Sequence, residues 1–308
     1  MGACIFFGNG LNRVIKDDIV KSWEKLLDGL TESKNVHLDG VPNTLRYEHT
    51  ISLMYNNKNQ NTEESVEKEA KIKIAEEMKK YKSNSIYEQL ANLPVVDYMT
   101  TNYDSAFEKA LNEIGFNVST SDSGDMSEGR YSIYRHKQFE DRNGNTKRLW
   151  FVHGICEKPR SIMLGYDQYG GQIRKMGEYI NGSAKKNKNT IPRFKDKLSG
   201  TNKFDGRSWI ELFFNSDVHF IGLGLPYDEI DLWWLLCRRS RLMREYPSYN
   251  IINKIFVHDT IANKTNVDSK RKLYEGLDVR YCPHPVVDEN YSSAYDEIIE
   301  EIKKAMIE

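Results

Sequence analysis

Asn102 and His153 are the residues best suited to chemistry, because each closes an apolar run with a polar group. The run Val95-Val96-Asp97-Tyr98-Met99 ends in Thr100-Thr101-Asn102-Tyr103-Asp104, and Leu149-Trp150-Phe151-Val152 stops at His153-Gly154. A carboxamide can orient hydroxyls and a water without capturing a cation. An imidazole titrates near neutrality and can take a proton from a hydroxyl or a water. Two more runs end in glycine turns: Ile5-Phe6-Phe7 leads into Gly8-Asn9-Gly10, and Val218-His219-Phe220-Ile221 into Gly222-Leu223-Gly224. Glycine at a strand-to-helix turn lets backbone amides approach phosphate at the positive end of the helix. Asn12 and Arg13 follow the first turn closely enough to reach a pyrophosphate.

Elements must bring these residues together. Strands buried on both faces read as continuous apolar runs, and sheets of that kind bind ligands beyond the carboxyl ends of their strands. Four such ends carrying glycines, an Asn, an Asp and a His predict one nucleotide-sized site. Helical spacing of Val14, Ile15, Ile19, Trp23, Leu26, Leu27 and Leu30 predicts helix after the first strand. The polar string Asn56 to Asn61 reads as a loop before a charged helix from about Thr62 to Tyr81. Ala106, Phe107, Ala110, Leu111 and Ile114 form a helical stripe that Gly115 ends, and Asp104 is placed to cap that helix. Arg130 to Trp150 reads as a hairpin around Asp141 to Asn145, with Tyr131, Ile133 and Tyr134 alternating ahead of it. Asp228 opens a Trp-rich helix, which it could cap, and Asp231 could simply be exposed. The basic run Arg238 to Arg244 reads as a solvated helix face. Ile255-Phe256-Val257-His258 reads as a last major strand, Val279-Arg280-Tyr281 as a short edge strand, and Tyr295 to Met306 as a closing amphipathic helix. Strands alternating with helices give an α/β fold with a doubly wound, mostly parallel sheet.

With 308 residues, 44 Lys and Arg against 45 Asp and Glu, and a net charge of -1, the chain has no basic surplus to hold a nucleic-acid backbone. No apolar stretch approaches the roughly 20 residues needed to span a bilayer, and Met1-Gly2-Ala3-Cys4 has no basic leader, so the expectation is a cytoplasmic protein. Cys4, Cys156, Cys237 and Cys282 stand apart, without the Cys-x-x-Cys pairs of structural zinc sites. No metal is expected.

The order Gly-Asn-Gly, Thr-Thr-Asn-Tyr-Asp, His-Gly and Gly-Leu-Gly-Leu-Pro-Tyr-Asp-Glu-Ile-Asp resembles the sirtuin-like fold, in its branch of bacterial NAD-consuming defence proteins. The resemblance runs from about Ile5 to Val257. It implies a single Rossmann-like domain over 1–308, with a helical insertion at about 14–93 and a mobile Lys- and Asn-rich insertion at about 160–208 in place of the zinc ribbon. Without that ribbon the chain departs from the deacylating sirtuins. The implied activity is an NAD glycohydrolase that releases nicotinamide and ADP-ribose and acts as an effector of abortive infection against phage. NAD is then the substrate. Cleaving the bond between nicotinamide and ribose builds oxocarbenium character, which Asn102 would manage, with His153 as general base. Gly8, Asn9, Gly10, Asn12, Arg13, Thr101, Asp104, Gly222, Gly224 and Asp228 would hold the dinucleotide, Asp104 facing the nicotinamide carboxamide. The family also implies a homo-oligomer and a separate activating partner such as a HerA-type ATPase. The alternatives are a protein deacylase or ADP-ribosyltransferase, and a module that senses NAD or a related nucleotide without turning it over.

Overall fold

Strand β1, Ala3–Phe7, shows how the molecule is layered. Its Ile5 and Phe7 point into one apolar cluster, while Cys4 and Phe6 point into another on the opposite side. The period of two along a strand therefore splits one apolar run between two cores. Tyr98 and Met99, then Leu149 and Trp150, divide in the same way. The computed structural model describes residues 2–14, 20–21, 23–31, 38, 40–57, 65–126, 129–182, 185–186, 189–190, 193–262 and 266–307.

Along the chain, a short 3-10 turn at Asn9–Val14 precedes α1 (Trp23–Asp28), α2 (Asn43–Asn57), α3 (Val66–Met78) and α4 (Ser85–Ala91). Next come β2 (Asp97–Thr100), α5 (Ala106–Glu113), the short strands β3 (Asn117–Val118) and β4 (Gly124–Asp125), β5 (His136–Glu140) and β6 (Thr146–Phe151). Helix α6 (Tyr166–Ile180), the pair β7 (Lys185–Lys186) and β8 (Asn189–Thr190), α7 (Phe194–Leu198) and α8 (Trp209–Asn215) lead to β9 (Asp217–Ile221). The chain continues with α9 (Ile230–Glu245), β10 (Ile255–Ile261), α10 (Val267–Gly276), β11 (Arg280–Pro285) and α11 (Tyr291–Ile307). The sheet runs β11-β10-β9-β1-β2-β6-β5-β3, with β4 beside β5. From β11 to β6 all pairs are parallel; β5 turns back against β6. This is the expected doubly wound α/β architecture. The chain leaves β1 toward β2 on one side and returns to its other side with β9. That reversal opens a crevice beyond the ends of β1, β2 and β9.

Several expectations change. Of the first helical stripe, only Trp23–Asp28 is α-helix among the described residues, and Ile15 and Ile19 lie outside them. Asn56 and Asn57 close α2 rather than opening a loop. Residues 131–135 are not strand, because the Tyr134 amide turns back to Ser132 Oγ at 3.2 Å. Arg239 is not solvated: burial excludes water and its guanidinium donates instead to the Phe213 and Asn253 carbonyls. The Lys- and Asn-rich region is anchored where it is described. Helix α6 buries Met176, Tyr179 and Ile180, and α7 buries Phe194 and Leu198 in the same core. Lys197 of α7 also pairs with the fully buried Glu211 at 2.7 Å. Two large apolar side chains per short helix are enough to fix it.

Phe194→Ala should cost about 3 kcal/mol of unfolding free energy, the usual price of emptying a buried phenylalanine site. A urea midpoint unchanged within about 0.5 kcal/mol would mean that α7 is loosely attached.

Candidate active site

The crevice holds a cavity of about 560 Å³, within the range of sites for nucleotide-sized ligands. Asn9, Gly10, Arg13, Thr101, Asn102, Asp104, His153, Gly222, Gly224 and Asp228 are all on its wall. Two expected residues are not. Asn12 is 1% exposed, and both ends of its amide are bonded to protein. Gly8 is packed away, since a Cβ there would come within 2.7 Å of Leu223 and 2.9 Å of the Gly222 carbonyl. Its lack of a side chain lets the loops after β1 and β9 run together, joined by Gly10 N–H donating to Gly222 O at 2.8 Å.

Asn12 instead directs Asn102 from below. Its Nδ2 donates to Asn9 Oδ1 and to Asp104 Oδ2, both at 2.9 Å. Its Oδ1 therefore accepts from Tyr87 OH at 2.9 Å. A tyrosine has one proton to give, so Tyr87 accepts from Asn102 Nδ2 at 3.0 Å. Asn102 Oδ1 is left as a buried acceptor with no partner. A buried polar atom without a partner costs free energy, and in a cavity wall it marks where a donor from a ligand or water belongs. The backbone holds this geometry too, with Asn102 N–H on Thr100 Oγ1 at 3.0 Å. Asp104 does act at the helix start, its Oδ1 accepting from Ala106 N–H at 2.8 Å while Oδ2 takes Asn12. Burial raises its pKa above the ordinary carboxylate range.

His153 follows β6 and is almost wholly enclosed. The next residue must be glycine: Gly154 has φ of +102°, and a Cβ would lie 2.2 Å from the Ser161 carbonyl. Asp231, at the start of α9, holds His153 Nε2 at 3.0 Å, and Glu229 lies 3.6 Å from Nδ1. Burial alone would depress the imidazole, but the charges of Asp231 and Glu229 and the hydrogen bond outweigh it, so the His153 pKa ends above its usual value. Glu229 is pushed up to about 7 by burial, although His153 and the Tyr169 hydroxyl oppose the shift. That hydroxyl donates to Glu229 at 3.1 Å, and the Tyr169 ring meets His153 edge-on.

Asp231 is thus neither exposed nor free, and Asp228 does not cap α9. Asp228 Oδ2 accepts from Asn43 N–H at 3.0 Å and so ties the start of α2 to the cavity rim. Sequence reasoning missed Tyr87 and Glu229. A tyrosine inside a charged helical region carries no local signal, whereas Glu229, two residues before Asp231 at a helix start, could have been found. The far wall consists of His258, Asp259 and Thr260 at the end of β10 with Tyr291 and Tyr295 of α11.

The crevice thus brings an Asn with an unpartnered carbonyl and a carboxylate-held His together at strand ends of a doubly wound sheet. Residues 96–234 match the SIR2-like domain family. The match spans β2 to the start of α9, including Asn102, Asp104, His153, Asp228 and Asp231. The chain is also 26% identical over 179 residues to NAD(+) hydrolase ThsA of Bacillus cereus (strain MSX-D12), covering 58% of this chain and 33% of that protein. It therefore spans about a third of the length of the relative it matches. No described helix is long and apolar enough to cross a membrane.

Glu229 gives a pH signature. Its folded pKa of about 7 lies above the unfolded value near about 4.3, so the native state holds the extra proton between them and stability falls as pH rises through that window. Glu229→Gln should flatten this slope in denaturant midpoints measured from about pH 4 to about pH 8. An unchanged slope would show that Glu229 titrates normally.

Proposed function

We propose that this chain is an NAD glycohydrolase that cleaves NAD to nicotinamide and ADP-ribose. The observation that carries the reading is Asn102 and His153 on the wall of one cavity, Asn102 with a carbonyl oxygen that no protein group partners. The name of the bacterial relative and the size of the cavity support it. The pyrophosphate lies against the amides around Gly10, with Arg13 as its counter-charge, and the adenosine half lies toward Gly222 and Gly224. As the bond from C1′ to the nicotinamide nitrogen breaks, the electron pair leaves with nicotinamide and positive charge grows on the ribose. Asn102 Oδ1 accepts from the ribose hydroxyl or the incoming water and so orients it without forming a bond to carbon. Asp231 accepts the Nε2 proton of His153, which leaves Nδ1 as the basic atom. Nδ1 takes the proton of the attacking water as its oxygen joins C1′, and Glu229 stabilises the resulting imidazolium. Asp231 is a positioning residue.

Such an enzyme serves as an antiphage effector by depleting NAD, works as a homo-oligomer, and is switched by a separate partner such as a HerA-type ATPase. Its location is the cytoplasm, where NAD is available. The whole chain 1–308 then forms one catalytic unit, with 14–93 as an insertion that supplies Tyr87 beneath the site.

Asn102→Ala should abolish nicotinamide release with little change in melting temperature, whereas His153→Ala should abolish it and also lower the melting temperature, because it leaves the buried Asp231 carboxylate uncompensated. Asp231→Asn should cost on the order of 10²–10⁴-fold in turnover. Near wild-type turnover in any of the three would remove the role given to that residue. Turnover should also rise with pH through a midpoint above the usual 6.5 or so of histidine, since His153 must lose its proton to act. A midpoint below that value, or none, would contradict the base assignment. Release of O-acyl-ADP-ribose from an acyl-lysine peptide would favour a deacylase instead.

A further inference from the structure

We propose that His258, Cys282, His284 and Glu301 form a binding site for a zinc-class divalent cation that clamps α11 to the outer strands of the sheet. The four residues come from three elements and are up to 43 positions apart in the chain (301 − 258), so no sequence motif announces them. His258 faces Cys282 in the parallel register of β10 and β11, and His284, two positions further along β11, lies on the same face. Helix α11 packs over these strands and brings Glu301 down to them.

Each of His258, Cys282 and Glu301 offers a ligand atom within 4.8 Å of the other two. His258 Nδ1 is 3.1 Å from His284 Nε2, which is 3.7 Å from the Glu301 carboxylate. A tetrahedral zinc with bonds of about 2.0–2.3 Å keeps its ligand atoms roughly 3.3–3.8 Å apart, so these donors need only small movements to close on an ion. The second nitrogen of His258 is already occupied, with Nε2 facing His219 Nδ1 at 3.2 Å. A buried partner on the far ring nitrogen is what orients a metal-bound imidazole. One thiol, imidazoles and one carboxylate suit zinc rather than magnesium or calcium, which prefer oxygen donors. Binding requires the Cys282 thiol to give up its proton to solvent as the sulfur–metal bond forms. The expectation that no metal binds rested on paired cysteines, and this site needs only one. Its position has a consequence for the cavity, because α11 also carries Tyr291 and Tyr295 on the cavity wall.

The test uses Co²⁺ as a spectroscopic stand-in for zinc, added to the full chain after chelation and thiol reduction. The expected result is the visible bands of four-coordinate cobalt together with a near-ultraviolet thiolate-to-cobalt band, saturating near one equivalent. Excess Zn²⁺ should then erase both. Cys282→Ser should lose the thiolate band, and His284→Ala should weaken cobalt binding about 10–100-fold. The only other cation-competent group among the described residues, His153 with Glu229 and Asp231, has no thiol and cannot produce that band. Zinc should also raise the melting temperature of the wild-type chain more than that of the Cys282→Ser variant. Absence of the thiolate band in the wild-type chain at excess cobalt, or its persistence in Cys282→Ser, would overturn the proposal.

Discussion

The structure depends on one constraint: a parallel sheet covered on both faces can leave polar side chains open to a ligand only where its strands end. Apolar residues inside β1, β2, β6 and β9 face one core or the other, and polar side chains buried within these strands, Lys147 and His219 among them, are held by protein partners that replace the lost water. At the carboxyl ends that requirement disappears. Asn102 and His153 stand there, along with the glycine loops after β1 and β9, and the reversal in strand order keeps helices from filling the space between them.

Within the crevice, hydrogen-bond direction passes from residue to residue. Asp104 can only accept from Asn12, so Asn12 accepts from Tyr87, and Tyr87 accepts from Asn102. The order ends in a carbonyl oxygen with no partner. His153 is set by charge instead. The buried Asp231 and the half-buried Glu229 hold the imidazole against its own desolvation, and Glu229 is pushed up to about 7. Breaking such a buried group by removing one partner is costly, since the remaining charge is left uncompensated. The site is therefore rigid before any ligand arrives.

The main strands, the doubly wound order and the gathering of Asn9, Gly10, Thr101, Asn102, His153 and Gly222 at one crevice were legible because each follows an apolar run within a few positions. Gly8 and Asn12 stand behind the cavity wall: proximity to the strand end does not say which side chain faces the cavity and which supports it from behind. Asp231 was noticed without its partner, because the contact to His153 spans 78 residues. Tyr87 left no local trace, and neither did the grouping of His258, Cys282, His284 and Glu301, since both arise only when distant elements pack. The Lys- and Asn-rich region was read from its average composition, which hid the placement of Phe194 and Leu198 on the buried side of one short helix.

The central claim is that this cavity breaks the bond between nicotinamide and ribose, and a single-turnover experiment with the full chain in excess over NAD, followed by proton NMR, tests it most directly. The account predicts that the NAD signals give way to free nicotinamide and ADP-ribose in equal amounts, and that NAD stays intact with Asn102→Ala. Intact NAD with the wild-type chain both alone and together with its activating partner, or the same product profile from wild type and variant, would contradict it.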